Sequence, residues 1–391
     1  MTIPGIFITL FWIPIGIYFL TSFFSFLGLR RRRHGRNTEL HTITVVVAAR
    51  NEEEDLPDLL ESLLFQDYPD EKYEIIVVDD QSEDATPAVI EDYARRSPQI
   101  HSIRITETPE EYSPKKYALS RGVREADGDI ILTVDADCVV KPTWIRTMNS
   151  YFEENVGMVV GYSGVAVSDE STFLERWQSL DFLTLMAANE AAMNWGLPLS
   201  ASGQNLGFSK QAFEEVGGYR PISDRATGDD VLLLQLIRNR TDFDILFAGN
   251  SKAYNSTKPE STIQSLFQQR VRWASDAPIQ LTMAPLFFIY LLIVFIMYLA
   301  VLGGLVLTIF TPLFLFHLIP GILVKLLGEF VLLRYATRLY ERPGLSPLIP
   351  AWSLLQIPYV IITGLGGIFF DYTWKGRSRS EAEPFRKRLR K

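Results

Sequence analysis

The chain has 391 residues, enough for two or three domains, with 47% hydrophobic residues, a formal charge of −8 and one cysteine. The negative balance argues against nucleic acid as a partner, and a single cysteine excludes internal disulfides and any cysteine-built metal cluster. The apolar residues are clustered rather than spread, which makes a membrane part of the reading.

In chain order, residues 3–27 carry no charge over 25 positions, more than the roughly 20 that a helix needs to cross a hydrocarbon core. They lack the basic flank and small-residue cleavage site of a secretory leader, so they predict a transmembrane helix. RRRRHGR (30–36) follows directly. Basic residues stay cytoplasmic, so this helix is expected to run inward and leave 37–280 in the cytoplasm.

From residue 42 short apolar runs alternate with amphipathic ones. TITVVVAA (42–49), EIIVVDD (74–80), HSIRIT (101–106) and DGDIILTVDAD (127–137) read as strands. Helices are expected over 53–66, from Asp84 and over 115–126. That alternation predicts an α/β fold with a parallel sheet, whose ligands sit at the carboxyl ends of the strands. Three strands end in polar clusters there: Arg50-Asn51-Glu52, Asp79-Asp80 and Asp135-Ala136-Asp137. No glycine-rich phosphate loop follows the first strand, so phosphate charge would fall to a metal and to basic side chains.

Further on, TGDDVLLLQLI (227–237) sets two acids at the start of an apolar-faced helix, and QQRVRW (268–273) precedes a second uncharged stretch, 286–310. Residues 313–333 hold Lys325 and Glu329 at helical spacing, a pair that neutralises itself or lies in the interface. Residues 346–370 are interrupted by Pro350, Pro358, Gly364, Gly366 and Gly367. The stretch Trp374–Lys391 holds eight Lys or Arg against two Glu and also reads as cytoplasmic. With an inward first helix, a cytoplasmic tail requires an even number of later crossings. One of the three later segments is therefore expected to be interfacial or re-entrant, and the proline- and glycine-broken last one is the first choice.

Each candidate residue also has a bland explanation. Asp135 and Asp137, one residue apart, would share a side of a strand and make a hard-cation site for Mg²⁺ or Mn²⁺, or they are a solvated turn. Asp79-Asp80 could be an acidic turn, and Asp229-Asp230 are accounted for by the helix dipole. Lys115 and Lys116 could be solvated helix-start residues, and QQRVRW a basic interfacial helix with a tryptophan anchor.

Together and in order, AARNE (48–52), VVDDQSEDAT (77–86), PKKYAL (114–119), TVDADC (133–138), SGQNLGF (202–208), TGDD (227–230) and QQRVRW resemble the membrane-bound branch of the family 2 glycosyltransferases. That branch includes cellulose, chitin and hyaluronan synthases and ceramide glucosyltransferases, and the resemblance covers about residues 40–280. It implies a GT-A fold, a Rossmann-like mixed sheet with flanking helices, between N- and C-terminal transmembrane helices. The implied layout is a helix at 3–27, a cytoplasmic catalytic domain at 40–280, a membrane region at 284–371 and a basic tail at 372–391. By position, Ala48, Arg50, Glu52 and Asp80 would line the base and ribose pocket. Lys115 would approach the diphosphate, Asp135 the ribose and metal, and Asp137 would ligate the metal. Asp230 would be the catalytic base with Asp229 beside it. Gln269 and Arg272 would face the diphosphate, and Trp273 the acceptor. No histidine precedes the QQRVRW helix to complete a metal site; that strand reads AYNST (253–257).

The implied reaction is metal-dependent, inverting transfer from a nucleotide sugar, expected to be a UDP-sugar, to a membrane lipid or lipid-linked glycan. The alternative is a processive polysaccharide synthase, which would need a partner subunit or homo-oligomer because a translocating pore takes roughly half a dozen helices of about 10 Å diameter. An inactive membrane scaffold is the third reading, disfavoured by the retained Asp135, Asp137, Asp230 and Arg272. The expected location is the plasma (inner) membrane, with anionic headgroups against the basic tracts.

Overall fold

The computed structural model describes residues 3–379; most of the basic tail, residues 380–391, lies outside the described residues. The chain begins with α1 (Ile3–Leu29), β1 (Ile43–Ala49), α2 (Leu56–Leu64), β2 (Tyr73–Asp80), α3 (Thr86–Arg96), β3 (Ile100–Ile105) and α4 (Pro114–Glu125). It continues through β4 (Ile130–Thr133), β5 (Cys138–Val140), α5 (Trp144–Asn149), β6 (Val156–Gly161), β7 (Ser163–Val165), α6 (Phe173–Asn194), β8 (Leu206–Ser209) and α7 (Lys210–Glu215). Then come α8 (Val231–Arg240), β9 (Asp244–Ala248), β10 (Asn255–Thr257), α9 (Ile263–Ala274), α10 (Ala277–Met283), α11 (Pro285–Phe310), α12 (Leu315–Leu339) and α13 (Ile349–Phe369). A hairpin of β11 (Thr373–Trp374) and β12 (Arg377–Ser378) follows.

These elements form two compact units. A sheet unit takes Arg32–Ala166, Gly196–Pro259 and the segment from Thr373. A helical unit takes the chain up to Arg31, Val167–Trp195 and Glu260–Tyr372. Within residues 40–280, α6 and α9 are grouped with the apolar helices.

The sheet unit is built on seven strands in the order β3-β2-β1-β4-β8-β6-β9. The first four, all legible from their β-branched runs, are parallel neighbours. The sheet as a whole is mixed, since β8 runs antiparallel to both β4 and β6. The consecutive residues Val45, Val46 and Val47 of β1 and Val77 and Val78 of β2 are wholly buried, the pattern of strands covered on both faces. Parallel register aligns Ala49 with Asp79 and Val46 with Thr133, so β1, β2 and β4 deliver their polar ends to one edge. Asn51 and Gln81 adopt φ of 52° and 58° just past β1 and β2, a left-handed turn that asparagine tolerates well.

In the helical unit, Phe7–Leu29, Pro285–Phe310, Pro312–Leu339 and Pro343–Phe369 are each long and apolar enough to cross a membrane. Lys325 and Glu329 do neutralise each other. Their buried groups meet at 2.7 Å, Lys325 also donates to the Ser353 carbonyl at 2.8 Å, and the Tyr18 hydroxyl donates to Glu329 at 2.6 Å. The segment expected to be broken by proline and glycine is instead one continuous helix, α13, with Pro358 inside it. Two of its glycines serve packing. A Cβ on Gly366 would lie 2.8 Å from Val271 Cγ2, and one on Gly367 2.6 Å from Ala274 Cβ, so glycine lets α9 approach.

Candidate functional site

Four aspartates and a lysine converge in the sheet unit. Lys115 enters from the first turn of α4, and its ammonium lies 2.9 Å from Asp135 Oδ1 and 3.0 Å from Asp229 Oδ2. Its neighbour Lys116 is wholly buried and donates to the carbonyls of Arg225 and Thr227 at 2.6 and 2.5 Å. That fixes the loop ahead of Asp229. Gly228 follows with φ of 77°, and the chain then turns into α8 with Asp230 as its N-cap. Asp230 accepts from the Val231 amide at 2.6 Å and, through Oδ2, from the Gly203 amide at 2.8 Å. SGQNLGF thereby acquires a role: its glycine amide orients Asp230.

The electrostatics separate the two neighbours. Burial opposes ionisation of Asp229, but the ammonium groups of Lys115 and Lys116 outweigh it and hold the carboxyl below its ordinary value. Burial and the charge of Asp229 push Asp230 up to about 6. One acid is locked as an anion; the other titrates near neutrality, where a general base works best. Lys115 itself is raised, because its aspartate partners outweigh the burial that would discharge it.

Asp135 and Asp137 do not lie on a strand, as their spacing suggested. β4 ends at Thr133, and both sit in the turn before β5. They therefore take different partners: Asp135 meets Lys115, while Asp137 Oδ2 accepts from Thr257 of β10 at 2.8 Å. Burial and the charge of Asp135 raise the Asp137 carboxyl, a repulsion that a cation would relieve. Among the described residues no group of three His, Cys, Asp or Glu could hold a metal ion. The pair suits a hard cation shared with a diphosphate and water, not a cage made by protein alone.

At the expected nucleotide pocket, Asp80 and Glu52 have partners that the strand pattern did not announce. Arg377 of the β11–β12 hairpin places its guanidinium 2.7 Å from Asp80 Oδ2 and donates to Gln81 Oε1 at 3.1 Å. Lys375 pairs with Glu52 at 2.6 Å. Burial raises Asp80 against the opposing pull of Arg377. Burial likewise raises Glu52, to about 7, with Lys375 opposing. Arg50 is a clamp, donating to the carbonyls of Lys375, Asp80 and Gln81 and pairing with Glu83. Ala48 is half-buried in β1 opposite Val78. The overlooked signal was Lys375-Gly376, both at positive φ, a two-residue hairpin turn between Thr-Trp and Arg-Ser.

Gln269, Arg272 and Trp273 lie on α9, which belongs to the helical unit. Gln269 donates to Glu260 Oε1 at 2.8 Å, and the Trp273 ring lies 5.8 Å from that of Phe182. Arg270, which the motif leaves unassigned, is buried and paired with Asp181.

Comparison with known proteins bears on what this arrangement serves. Residues 44–217 match the family model described as Glycosyl transferase family 2. A probable glycosyltransferase of Bacillus subtilis, YdaM, is 27% identical over 239 residues, 60% of this chain and 55% of that protein. The poly-beta-1,6-N-acetyl-D-glucosamine synthase of Staphylococcus epidermidis is 27% identical over 275 residues, 69% of this chain and 62% of that protein. The beta-monoglucosyldiacylglycerol synthase of Synechocystis is 26% identical over 235 residues, 59% of this chain and 47% of that protein. The chain thus spans about half to three-fifths of the length of these relatives. Among solved structures, the mannosyltransferase PcManGT of Pyrobaculum calidifontis, in complex with GDP-Man and Mn²⁺, superimposes with a TM-score of 0.57 at 16% identity, covering 93% of this chain and 99% of that one. That likeness establishes a GT-A arrangement for the fold.

Proposed function

We propose, from the match of residues 44–217 to the Glycosyl transferase family 2 model, that this chain transfers one sugar from a nucleotide-diphosphate donor to a hydroxyl on a membrane-associated lipid or lipid-linked glycan. The observation that carries the reading is Asp230: a carboxyl pushed up to about 6, oriented by two backbone amides, beside an aspartate held ionised by Lys115.

Asp230 takes the proton of the acceptor hydroxyl as that oxygen attacks the anomeric carbon, and a single displacement inverts the configuration. Lys115 stands where charge develops on the departing diphosphate. Asp135 and Asp137 would hold Mg²⁺ or Mn²⁺, which supplies further stabilisation of that charge when bound. Asp80, Glu52 and Ala48 face the nucleoside, a UDP-sugar being the expected donor. The roles of Gln269 and Arg272 toward the diphosphate, and of Trp273 toward the acceptor, rest on the family resemblance. The PcManGT complex, with a nucleotide sugar and a divalent ion on the same fold, is in keeping with this scheme.

The acceptors named for the relatives include both a polymer and a glycolipid. Four apolar helices among the described residues favour single transfer, since enclosing a glycan takes more. The hairpin also bears on topology. Arg377 pairs with Asp80 inside the sheet unit, which supports an even number of crossings between α9 and the hairpin. Of α11, α12 and α13, the last is then interfacial, in keeping with its buried Ser353, Gln356 and Thr363. The sheet unit faces the cytoplasm at the plasma membrane, with Arg30 and Arg31 near anionic headgroups. A cysteine introduced at Thr311 should label from outside and one at Glu341 from inside.

Incubating membranes with a panel of radiolabelled nucleotide sugars and separating lipid-soluble from polymeric product tests the proposal. Lipid-soluble product from one donor is expected. Polymer would indicate the processive reading, and no incorporation in a folded, nucleotide-binding preparation would defeat transfer altogether.

A further inference from the structure

Three donors converge on Asp181, in the middle of α6, a residue within no motif. Its carboxylate takes Arg270 Nη2 at 2.9 Å, Gln356 Nε2 at 2.7 Å and the Tyr359 hydroxyl at 3.3 Å. Asp181, Arg270 and Gln356 are 5%, 6% and 3% exposed, so the charges have been taken out of water and need each other. One turn earlier on α6, the Gln178 amide bonds in both directions with the backbone of Glu260, at 2.9 Å each way. Glu260 in turn accepts from Gln269.

Arg270 has a second contact. Its guanidinium carbon lies 4.1 Å from the centroid of the Trp273 ring, well inside cation–π range. The planar cation is fixed at one end by Asp181 and lies over the indole at the other. Phe182, the next residue on α6, also approaches that indole, with ring planes inclined at 42°. α6 thus presents Gln178, Asp181 and Phe182 as a cradle for the motif helix, and Asp181 ties that helix to α13 as well.

We propose that Asp181 is a positioning residue: acting through Arg270, it sets the plane of the Trp273 indole and so governs engagement of the acceptor. The inference rests on the reading of Trp273 as acceptor-facing. A buried ion pair that only holds helices together would affect donor and acceptor alike, and a lysine in place of Arg270 would restore it. A positioning pair behaves otherwise, because lysine keeps the charge but loses the flat face that lies on the indole.

The test uses the full chain in detergent or native membranes. Asp181→Asn retains an oxygen acceptor for Gln356 while removing the charge that holds Arg270; Arg270→Lys is the second variant should the first not fold. Both are expected to raise acceptor KM about tenfold, the scale of one charge-assisted contact, with donor KM unchanged. Trp273 emission, obtained as the difference between each chain and its Trp273→Phe counterpart, should shift to the red in both. Equal losses toward donor and acceptor, wild-type behaviour of Arg270→Lys, or an unmoved Trp273 emission would overturn the proposal. A red shift in a chain whose wild type transfers no sugar would leave the positioning standing and remove the enzymatic reading instead.

Discussion

The molecule contains two kinds of buried charge cluster, and the contrast between them is instructive. In the helical unit, Lys325 meets Glu329 and Arg270 meets Asp181, one cation to one anion, with neutral donors filling the remaining oxygens. In the sheet unit, Asp135 and Asp229 both pair with the ammonium of Lys115, with Lys116 close to Asp229, while Asp137 and Asp230 accept from neutral donors. Balanced clusters are finished; they hold helices in register. A cluster with surplus carboxylates suits the divalent ion and diphosphate of the proposed reaction.

The contrast can be broken most severely at Asp230. Asp230→Asn keeps the shape and one amide bond but removes the carboxylate proposed as the base, so turnover should fall by about 10²–10⁴ with nucleotide affinity preserved, as read by single-turnover kinetics and nucleotide titration. Unchanged turnover would move Asp230 to the structural side of the comparison. Breaking a balanced cluster should act on stability instead. Lys325→Met strands Glu329 in an apolar setting and should cost about 3 kcal/mol in detergent unfolding, whereas Lys325→Met with Glu329→Leu should recover most of it.

At the pocket edge, Arg377→Ala removes the cation that opposes protonation of Asp80. The Asp80 carboxyl, already raised by burial, should rise further. Donor KM should increase several-fold, most at low pH, on the scale of one hydrogen bond to a charged group. A fall in KM would mean that the hairpin obstructs the pocket rather than completing it. The smallest effect is in the wild type. Asp230 is protonated below its folded value of about 6 and cannot accept, so kcat/KM should drop with falling pH through that point and flatten above it. A flat profile across pH 5–7 would detach the base from this carboxyl.

Much of this could be read in advance where local pattern and tertiary structure agree. The β-branched runs ending in Asp80 and ahead of Asp135 are strands that each run parallel to β1 in the sheet, and that geometry brings their ends to one edge. Asp229-Asp230 lie at a helix start as read. Other features depend on distant partners. The strand through Asp137 stops at Thr133 because the chain turns into β5, a choice made by pairing with β10 that no alternation reveals. Gly366 and Gly367 looked like helix breakers because the α9 surface they accommodate is nearly 100 residues away in sequence. Asp181 carried no signal at all, since its three partners come from two other helices.

The hairpin has a consequence for how the protein is made. Arg377 lies 297 residues beyond the aspartate it pairs with. At roughly 5–20 residues per second, translation takes about 15–60 s to cover that interval. During it the strands of the sheet can fold, but their pocket stays without its last two cations until α11, α12 and α13 have been synthesised. The order of synthesis thus acts as a timer: Lys375 and Arg377 reach Glu52 and Asp80 only after the long apolar helices have been made, and a chain released early would have the sheet without these two cations.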